Sequence, residues 1–529
     1  MTSTAQHYSY DEVPYPDLSY SQTHPDRLAT LGKLLGVKPV PVEQCRVLEI
    51  GTAGGANLLA MAAVLPSSTF VGMDISAVQI NKAQAAVDAV GLTNINFHQM
   101  DILNITPEFG QFDYIIIHGI FSWVPPLVRE KLLDVCQHNL TPQGIAYISY
   151  NTYPGWHTMD IIRNMMLYRT RNATTAAEKS AQAYEWVSFM ADALKDQPDS
   201  AYAAVFQNYL DFRKTQTEDF DHATLLHDEL EAVNQPFYFY QFMERAEQHG
   251  LQYLVESDIP NMLINDISGE VKNFLGKTAR SIVEFEQYLD FLRNRLFRCT
   301  LLCHQEIDVD RHLSIEPVRE FYVSSTAHTV VVTAERTEKG IETFEGVDGS
   351  LFSTNHPLTK AALNYLLDVK PLRVHLDALV RQAASRLNMT TVSNEDVEAL
   401  ATNLLQAFAY SMNLIEFHVF APQMTTTVSE RPLATAYARY QARQQANNTS
   451  LIHSRVQLDN FSRLVLAQLD GQYDRAALLD FLVELAAAGK IGLRTAQPIP
   501  DSPVEMRKVL ADELDFTLQG FAMLGLLMA

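Results

Sequence analysis

The stretch Val47-Leu48-Glu49-Ile50-Gly51-Thr52-Ala53-Gly54-Gly55-Ala56-Asn57 constrains this chain more than any other. Arg46 to Ile50 predicts an apolar strand and Leu58 to Val64 an apolar helix, with a small-residue turn between them. Glycines at 51, 54 and 55 let a ligand approach the backbone, because no Cβ stands in the way. Free N–H groups at the start of the helix suit polar or anionic ligand groups. Glu49 discriminates among ligands. A dinucleotide site reads G-x-G-x-x-G, and here positions 53 and 56 are Ala, so that pattern fails. What remains is E-x-G-x-x-x-G, with a negative charge at the strand end that favours a cationic ligand.

The next segments point to a nucleoside-type ligand. Thr69 to Met73 predicts a second strand that ends in Asp74 and Ile75. An acid there, about 20 residues past the glycines, is placed for ribose hydroxyls. A third short strand, Ile95 to His98, leads to Asp101 and Ile102. That pair offers a carboxylate to an exocyclic amine and an apolar wall to a purine face. Phe112 to Ile117 and Gly144 to Tyr150 predict strands four and five. Helical segments separate all five, which predicts a parallel, doubly wound α/β sheet.

The order of these motifs resembles the class I S-adenosylmethionine-dependent methyltransferases; the alternative is a nucleotide-binding α/β domain of another kind. Longer strings narrow the resemblance. His118-Gly119-Ile120-Phe121-Ser122-Trp123-Val124-Pro125 follows strand four, and Ser149-Tyr150-Asn151-Thr152-Tyr153-Pro154-Gly155-Trp156 follows strand five. With Tyr10 to Pro16, Thr23-His24-Pro25, Asn234 to Phe239 and Tyr288 to Leu302, they resemble bacterial methyltransferases that carry a methyltransferase regulatory domain. The best-known members are protein lysine methyltransferases that modify an outer-membrane protein of intracellular bacteria. The likeness covers most of the chain, strongest over 10–305 and weaker beyond 415. It implies S-adenosyl-L-methionine as cofactor, held by Glu49, Gly51, Gly54, Gly55, Asn57, Asp74, Ile75, Asp101, Ile102 and His118. It implies a Rossmann-like seven-stranded sheet, with 251–256 as strand six and 297–303 as an antiparallel strand seven. It also implies a homodimer and a lysine-bearing protein acceptor. The acceptor is fixed only loosely, because the regulatory domain is not itself chemistry. A methyltransferase of a small molecule or lipid, and a cofactor-binding regulatory protein without turnover, stand as alternatives.

Methyl transfer from a sulfonium is an in-line displacement in which positive charge disperses, so the protein mainly aligns the partners and excludes water. A lysine acceptor must first lose a proton; its ordinary pKa is about 10.4, and burial beside a sulfonium lowers it. A Tyr hydroxyl, an Asn carbonyl or a water can accept that proton, and aromatic faces hold a methylated ammonium. Tyr15, Trp123, Tyr150, Asn151, Tyr153 and Trp156 are the candidate catalytic residues, since their segments meet at the carboxyl edge of the sheet. Each aromatic taken alone also reads as core packing. His118 lines the methionine end of the cofactor or caps strand four.

Composition enters where it excludes. A net charge of −22 disfavours nucleic acid, which needs a basic footprint; it suits a basic partner or simple solubility. No apolar run reaches 18 residues, so no transmembrane helix is expected. The start lacks a basic n-region and an apolar h-region, so a cytoplasmic location is expected. Four cysteines in 529 residues give no disulfide framework. Cys299 with Cys303-His304 fits no zinc spacing, so buried thiols and no metal are expected.

The length predicts about three domains. We read an N-terminal arm over the active site (1–30), a methyltransferase domain (31–305) with a helical insertion (160–235, lid or dimer surface), a mixed α/β middle domain (306–415) and a winged-helix-like C-terminal domain (416–529). Within the arm, Tyr10, Tyr15 and Tyr20 with Pro14 and Pro16 form an extended strip that closes the site. Residues 422–450 read as a linker or a solvated helix, and Ile491-Gly492-Leu493 as a short strand. Residues 306–529 are expected to leave the cofactor alone and to position the acceptor or an assembly.

Overall fold

A computed structural model describes residues 13, 15–197, 199–216, 222–259, 268–330, 340–493, 499–500 and 502–529. Tyr10 and Pro14 of the aromatic strip lie outside them. Helix α1 (Pro25–Leu34) opens the described fold, with Pro25 in its first turn and the His24 ring accepting from the Asp26 backbone N–H. It buries Leu28, Leu31 and Leu34. The arm therefore ends near residue 24, and α1 already belongs to the core.

The central sheet comprises β1 (Arg46–Ile50), β2 (Thr69–Asp74), β3 (Ile95–Gln99), β4 (Phe112–Ile117), β5 (Leu140–Asn151), β6 (Leu251–Glu256) and β7 (Phe297–His304), in the order β3-β2-β1-β4-β5-β7-β6. The first five run parallel, and β7 runs antiparallel to both β5 and β6. Every residue of β4 is buried, as a central strand covered on both faces requires. Helices α2 (Ala56–Val64), α3 (Ala77–Val90) and α4 (Pro126–Asn139) make the crossovers. Strand order reverses between β1 and β4, which opens a crevice at their carboxyl ends, the place where open α/β sheets bind ligands.

Past β5 the chain forms α5 (Gly155–Thr170), α6 (Ala176–Leu194), α7 (Ala201–Gln216) and α8 (His222–Asp228). These helices build their own core from Ile162, Met166, Val187, Phe206, Leu225 and Leu230, so the insertion is a packed unit rather than a loop. Helix α9 (Phe239–Gln248) then leads into β6, and α10 (Gly269–Thr278) and α11 (Ile282–Arg293) lead into β7.

In the middle region β8 (Tyr322–Ser324) is the centre of a three-stranded sheet; β9 (His328–Val330), β10 (Glu342–Glu345) and β11 (Leu351–Thr354) form another. Helices α12 (Pro357–Val369), α13 (Leu376–Arg386) and α14 (Asn394–Tyr410) pack against them. Their apolar side chains join those of α1 and the methyltransferase sheet in one continuous core, from Leu28 and Leu31 to Leu404, Phe408 and Phe417. Asp26 fastens this junction: it faces Arg373 at 3.0 Å and His418 at 2.8 Å, and accepts from the backbone N–H groups of Val419 and Phe420. Burial would raise its pKa, but Arg373 and His418 outweigh that and hold it well below the usual carboxylate range.

The C-terminal region has a core of its own around Phe461, Leu466, Leu482, Leu514 and Phe521, built on α15 (Ala436–Gln444), a hairpin of β12 (Asn447–Thr449) and β13 (Arg455–Gln457), α16 (Asn460–Leu466), α17 (Arg475–Ala487) and α18 (Pro503–Met523). Of the two expectations for 422–450, a linker or a solvated helix, the helix is present as α15, but it is not solvated all round: it buries Tyr437, Ala438, Gln441 and Ala442. Residues 491–493 form no strand; the hairpin lies at 447–457 instead, where polar side chains masked the pattern. No helix among the described residues is long and apolar enough to cross a membrane.

Candidate active site

The β1–α2 turn is built as its glycines require. Gly51 and Gly55 have φ of 75° and 80°, the left-handed region that glycine enters freely. A Cβ on Gly51 would collide with Ile120, and one on Gly54 with the Asp17 carboxylate. Asp17 belongs to the arm and pairs with Lys82, so the arm lies directly over the turn. Asp74, at the end of β2, accepts from Ala53 N–H at 3.0 Å and Ser76 N–H at 2.9 Å. Ile75 beside it is partly exposed. Asp101 caps a short turn through Leu103 N–H at 2.9 Å, with Ile102 half-buried next to it.

Glu49 is buried at the end of β1. Thr52 donates to Oε2 at 2.7 Å and Asn57 to Oε1 at 2.6 Å. Among the described residues no cation pairs with it. Burial pushes its carboxyl up to about 7, against the pull of those two hydrogen bonds. A buried acid without a counter-cation, set at the mouth of the crevice, fits a ligand that brings a sulfonium and an ammonium group. Asn57 is a hub. Its amide N–H groups serve Glu49 and Thr23 (2.9 Å), and its Oδ1 accepts from the Tyr20 backbone at 2.9 Å and from His453 Nε2 at 2.8 Å. His453 comes from the turn between β12 and β13. The C-terminal region thus touches the glycine turn, although the sequence assigned it no part there.

Beside this crevice lies a cavity of about 1140 Å³, roofed by the helical insertion and walled on one side by the C-terminal hairpin. Tyr15, Trp123, Asn151, Trp156 and His118 all line it. Trp123 and Trp156 meet edge to face at 6.2 Å. Asn151 donates to Asn234 Oδ1 at 2.9 Å. His118 is half-buried, and loss of solvent around its ring drives its pKa down to about 4; its Nδ1 lies 3.0 Å from Tyr147 Oη. The Tyr20 ring packs against His118 with centroids 4.0 Å apart and planes tilted by 42°. Its backbone is bonded to Asn57, so Tyr20 stands between the cavity and the glycine turn.

Two candidates sit elsewhere. Tyr150 is a core residue: its ring stacks on Phe242 at 4.1 Å and its hydroxyl meets Thr300 Oγ1 at 3.1 Å. Position in β5 decides this, since alternate residues of a strand face opposite sides. Tyr153 is not among the cavity residues; its ring stacks on His157 at 4.1 Å and lies 5.2 Å from Tyr238. Sequence reasoning missed Asp17, Tyr209, Arg213, Asp228, Glu229, Asn447, His453, Arg455 and Gln457. Asp17 lies within the aromatic strip, between Tyr15 and Tyr20, and was within reach of inference. The others come from distant segments with no local motif.

The pKa of Glu49 has a measurable consequence. A bound cation lowers it, so binding is strongest when Glu49 is ionised, and affinity falls as pH falls below 7. S-adenosylmethionine affinity is expected to drop from pH 7 to pH 5.5 by at most about tenfold per pH unit. The ligand's own α-amino group, with a pKa of about 7.7–8.0, stays protonated throughout. Titration calorimetry on Glu49→Gln is expected to show weaker binding and a flat profile; an unchanged slope in that variant would assign the titration to another group.

Fold and turn together define a class I S-adenosylmethionine-dependent methyltransferase. Residues 47–144 match a model described as "Methyltransferase domain", 221–304 one described as "Predicted methyltransferase regulatory domain", and 430–526 one described as "PKMT, C-terminal winged helix domain". The chain is 35% identical to the uncharacterized protein RP789 of Rickettsia prowazekii (strain Madrid E), over 96% of this chain and 91% of that protein. It also superposes on PKMT2 from Rickettsia typhi with a TM-score of 0.84 and 27% identity, over 98% of this chain and all of that one; PKMT2 has also been solved in complex with AdoHcy. The chain belongs to the family of S-adenosylmethionine-dependent methyltransferases that join a methyltransferase domain, its regulatory domain and a PKMT-type winged helix.

Proposed function

We propose that this methyltransferase methylates lysine side chains of a protein acceptor. The observation that carries the reading is the roofed cavity beside the cofactor turn, with aromatic walls and two acids, Asp228 and Glu229, in its lining. A channel of that chemistry suits a long aliphatic stem with a cationic tip. Similarity to PKMT2 over nearly the whole chain supports the same reading.

S-adenosylmethionine supplies an activated methyl group on sulfur. Around it, the Glu49 field favours the cationic amino-acid moiety, Asp74 accepts from the ribose hydroxyls, and Asp101 with Ile75 and Ile102 frames the adenine. The Gly51, Gly54 and Gly55 turn gives backbone access, Asn57 holds Glu49 in place, and neutral His118 faces the methionine end. Trp123, Trp156 and Tyr15 align the acceptor stem, Asn151 orients the amine, and the arm excludes water. We further propose a cytoplasmic homodimer without nucleic-acid partners, since the acidic chain repels phosphate.

The test is incubation with methyl-labelled S-adenosylmethionine and a bacterial lysate, then acid hydrolysis of the protein fraction. Label in methyl-lysine is the expected result. Label confined to the small-molecule or lipid fraction would replace the lysine reading, and no transfer would favour a cofactor-binding regulator.

A further inference from the structure

A second cavity, of about 580 Å³, lies between the start of α4 and helix α9. None of its lining residues lines the cavity beside the glycine turn. Arg129, in the first turn of α4, is 5% exposed and belongs to this lining. Its guanidinium lies over the Phe237 ring, 5.3 Å from the centroid. Among the described residues no acceptor meets its guanidinium N–H groups. Nε is sealed from solvent, so the Nη end is what reaches the cavity. A buried charge is normally paired and hydrogen-bonded. The acid next to it in sequence, Glu130, is engaged elsewhere: it holds Arg245 and, at 3.1 Å, His249 Nε2. Arg245 also lies over Phe237, at 5.7 Å, so two guanidinium groups converge on one ring. Burial lowers the Arg129 pKa, the Arg245 charge adds to that fall, and Glu130 opposes it. Glu244, exposed in the same lining, pairs with neither arginine among the described residues.

We propose that this cavity binds a carboxylate, gripped by the Nη groups of Arg129 with Arg245 alongside. A guanidinium fork matches the two oxygens of a carboxylate in one plane. Charge favours a monoanion, because Arg245 is matched by Glu130 while Arg129 has no acid of its own. The carboxylate belongs either to a free small acid or to an acidic side chain of a protein. The site does not depend on which acceptor is methylated. It is nevertheless joined to the methyl-transfer end. Gln235, in its lining, donates its backbone N–H to Ser122 O at 2.8 Å, and Phe237 donates to Asn151 O at 3.0 Å. Asn234, at the start of the same strip, receives the Asn151 side-chain amide.

Acetate is the probe, titrated onto the full chain at constant chloride and read by saturation-transfer NMR of its methyl signal. Binding is expected in the native protein and is expected to weaken by about tenfold or more in Arg129→Gln, as for a lost charged hydrogen bond. Arg245→Gln is expected to weaken it several-fold. Glu244→Gln is expected to tighten it several-fold, by removing a like charge from the lining. These last two changes fall on accessible side chains, so they decide the matter even if Arg129→Gln fails to fold. The blocked peptide acetyl-Ala-Glu-Ala-amide separates the two sources. Affinity above that of acetate by roughly tenfold assigns the site to a protein side chain, since further contacts then add to the carboxylate; equal or weaker affinity assigns it to a free acid. No binding of acetate or peptide to the native protein, or binding that the three variants leave unchanged, would overturn the site. Inorganic phosphate that binds more tightly than either probe would overturn the carboxylate assignment.

Discussion

Arg298→Ala is expected to destabilise the protein by about 3–5 kcal/mol, the range for breaking a buried ion network by removing one partner. Arg298 is wholly buried in β7. It clamps Asp290 with Nε at 2.9 Å and Nη2 at 2.8 Å, meets Glu256 through Nη1 at 2.7 Å and Glu286 through Nη2 at 3.0 Å, and lies 3.8 Å above the Phe239 ring. Arg295 adds one contact to Asp290 at 3.1 Å. Three carboxylates would lose their shared guanidinium once Arg298 is gone. Even in the native protein burial pushes Glu286 up to about 7, although Arg298 opposes it. In the variant these pKa values rise further. A carboxyl whose folded pKa exceeds its unfolded value contributes stability below the unfolded value and loses it as pH rises through the folded one. The deficit is therefore expected to be largest near pH 8 and to shrink toward pH 5. Urea melts at the two pH values read it directly; a loss under 1 kcal/mol at pH 8 would mean the network is solvated.

Asp74→Ala is expected to weaken S-adenosylmethionine binding by more than tenfold, from about 1.5–3 kcal/mol for a lost charged hydrogen bond. The carboxylate also holds Ala53, a non-glycine residue at φ 47°, so the glycine turn loosens with it. Asp74→Asn keeps the shape and is expected to fall between native and Ala. Calorimetric affinity unchanged in a folded Asp74→Ala protein would remove this residue from the cofactor site.

What was legible in the sequence was local. The β1–α2 turn, the acid after β2 and the five parallel strands arise from short-range patterns of apolar residues and glycine. Strands six and seven were placed by resemblance and stand where expected. The failures share a cause. Tyr150 and Tyr153 lie on one segment with Asn151 and Trp156, and only the pleat and the turn after it decide which of them face the cavity. α15 is rich in Gln and Arg, yet its Gln441 and Tyr437 are buried, Tyr437 against the backbone of Ala56 far away in the chain. His453 and Glu229 reach their sites through contacts that no periodicity encodes. Their positions depend on how segments far apart in the chain meet.

The His453–Asn57 contact spans 396 residues of sequence. At a synthesis rate of about 5–20 residues per second, roughly 20–80 s separate the making of the glycine turn from the making of the side chain that buttresses it. The cofactor loop leaves the ribosome early and is completed late. During that interval the Asn57 Oδ1 has the Tyr20 backbone N–H but lacks its donor from His453. The hydrogen-bond network behind Glu49 is thus complete only after the C-terminal region has been made.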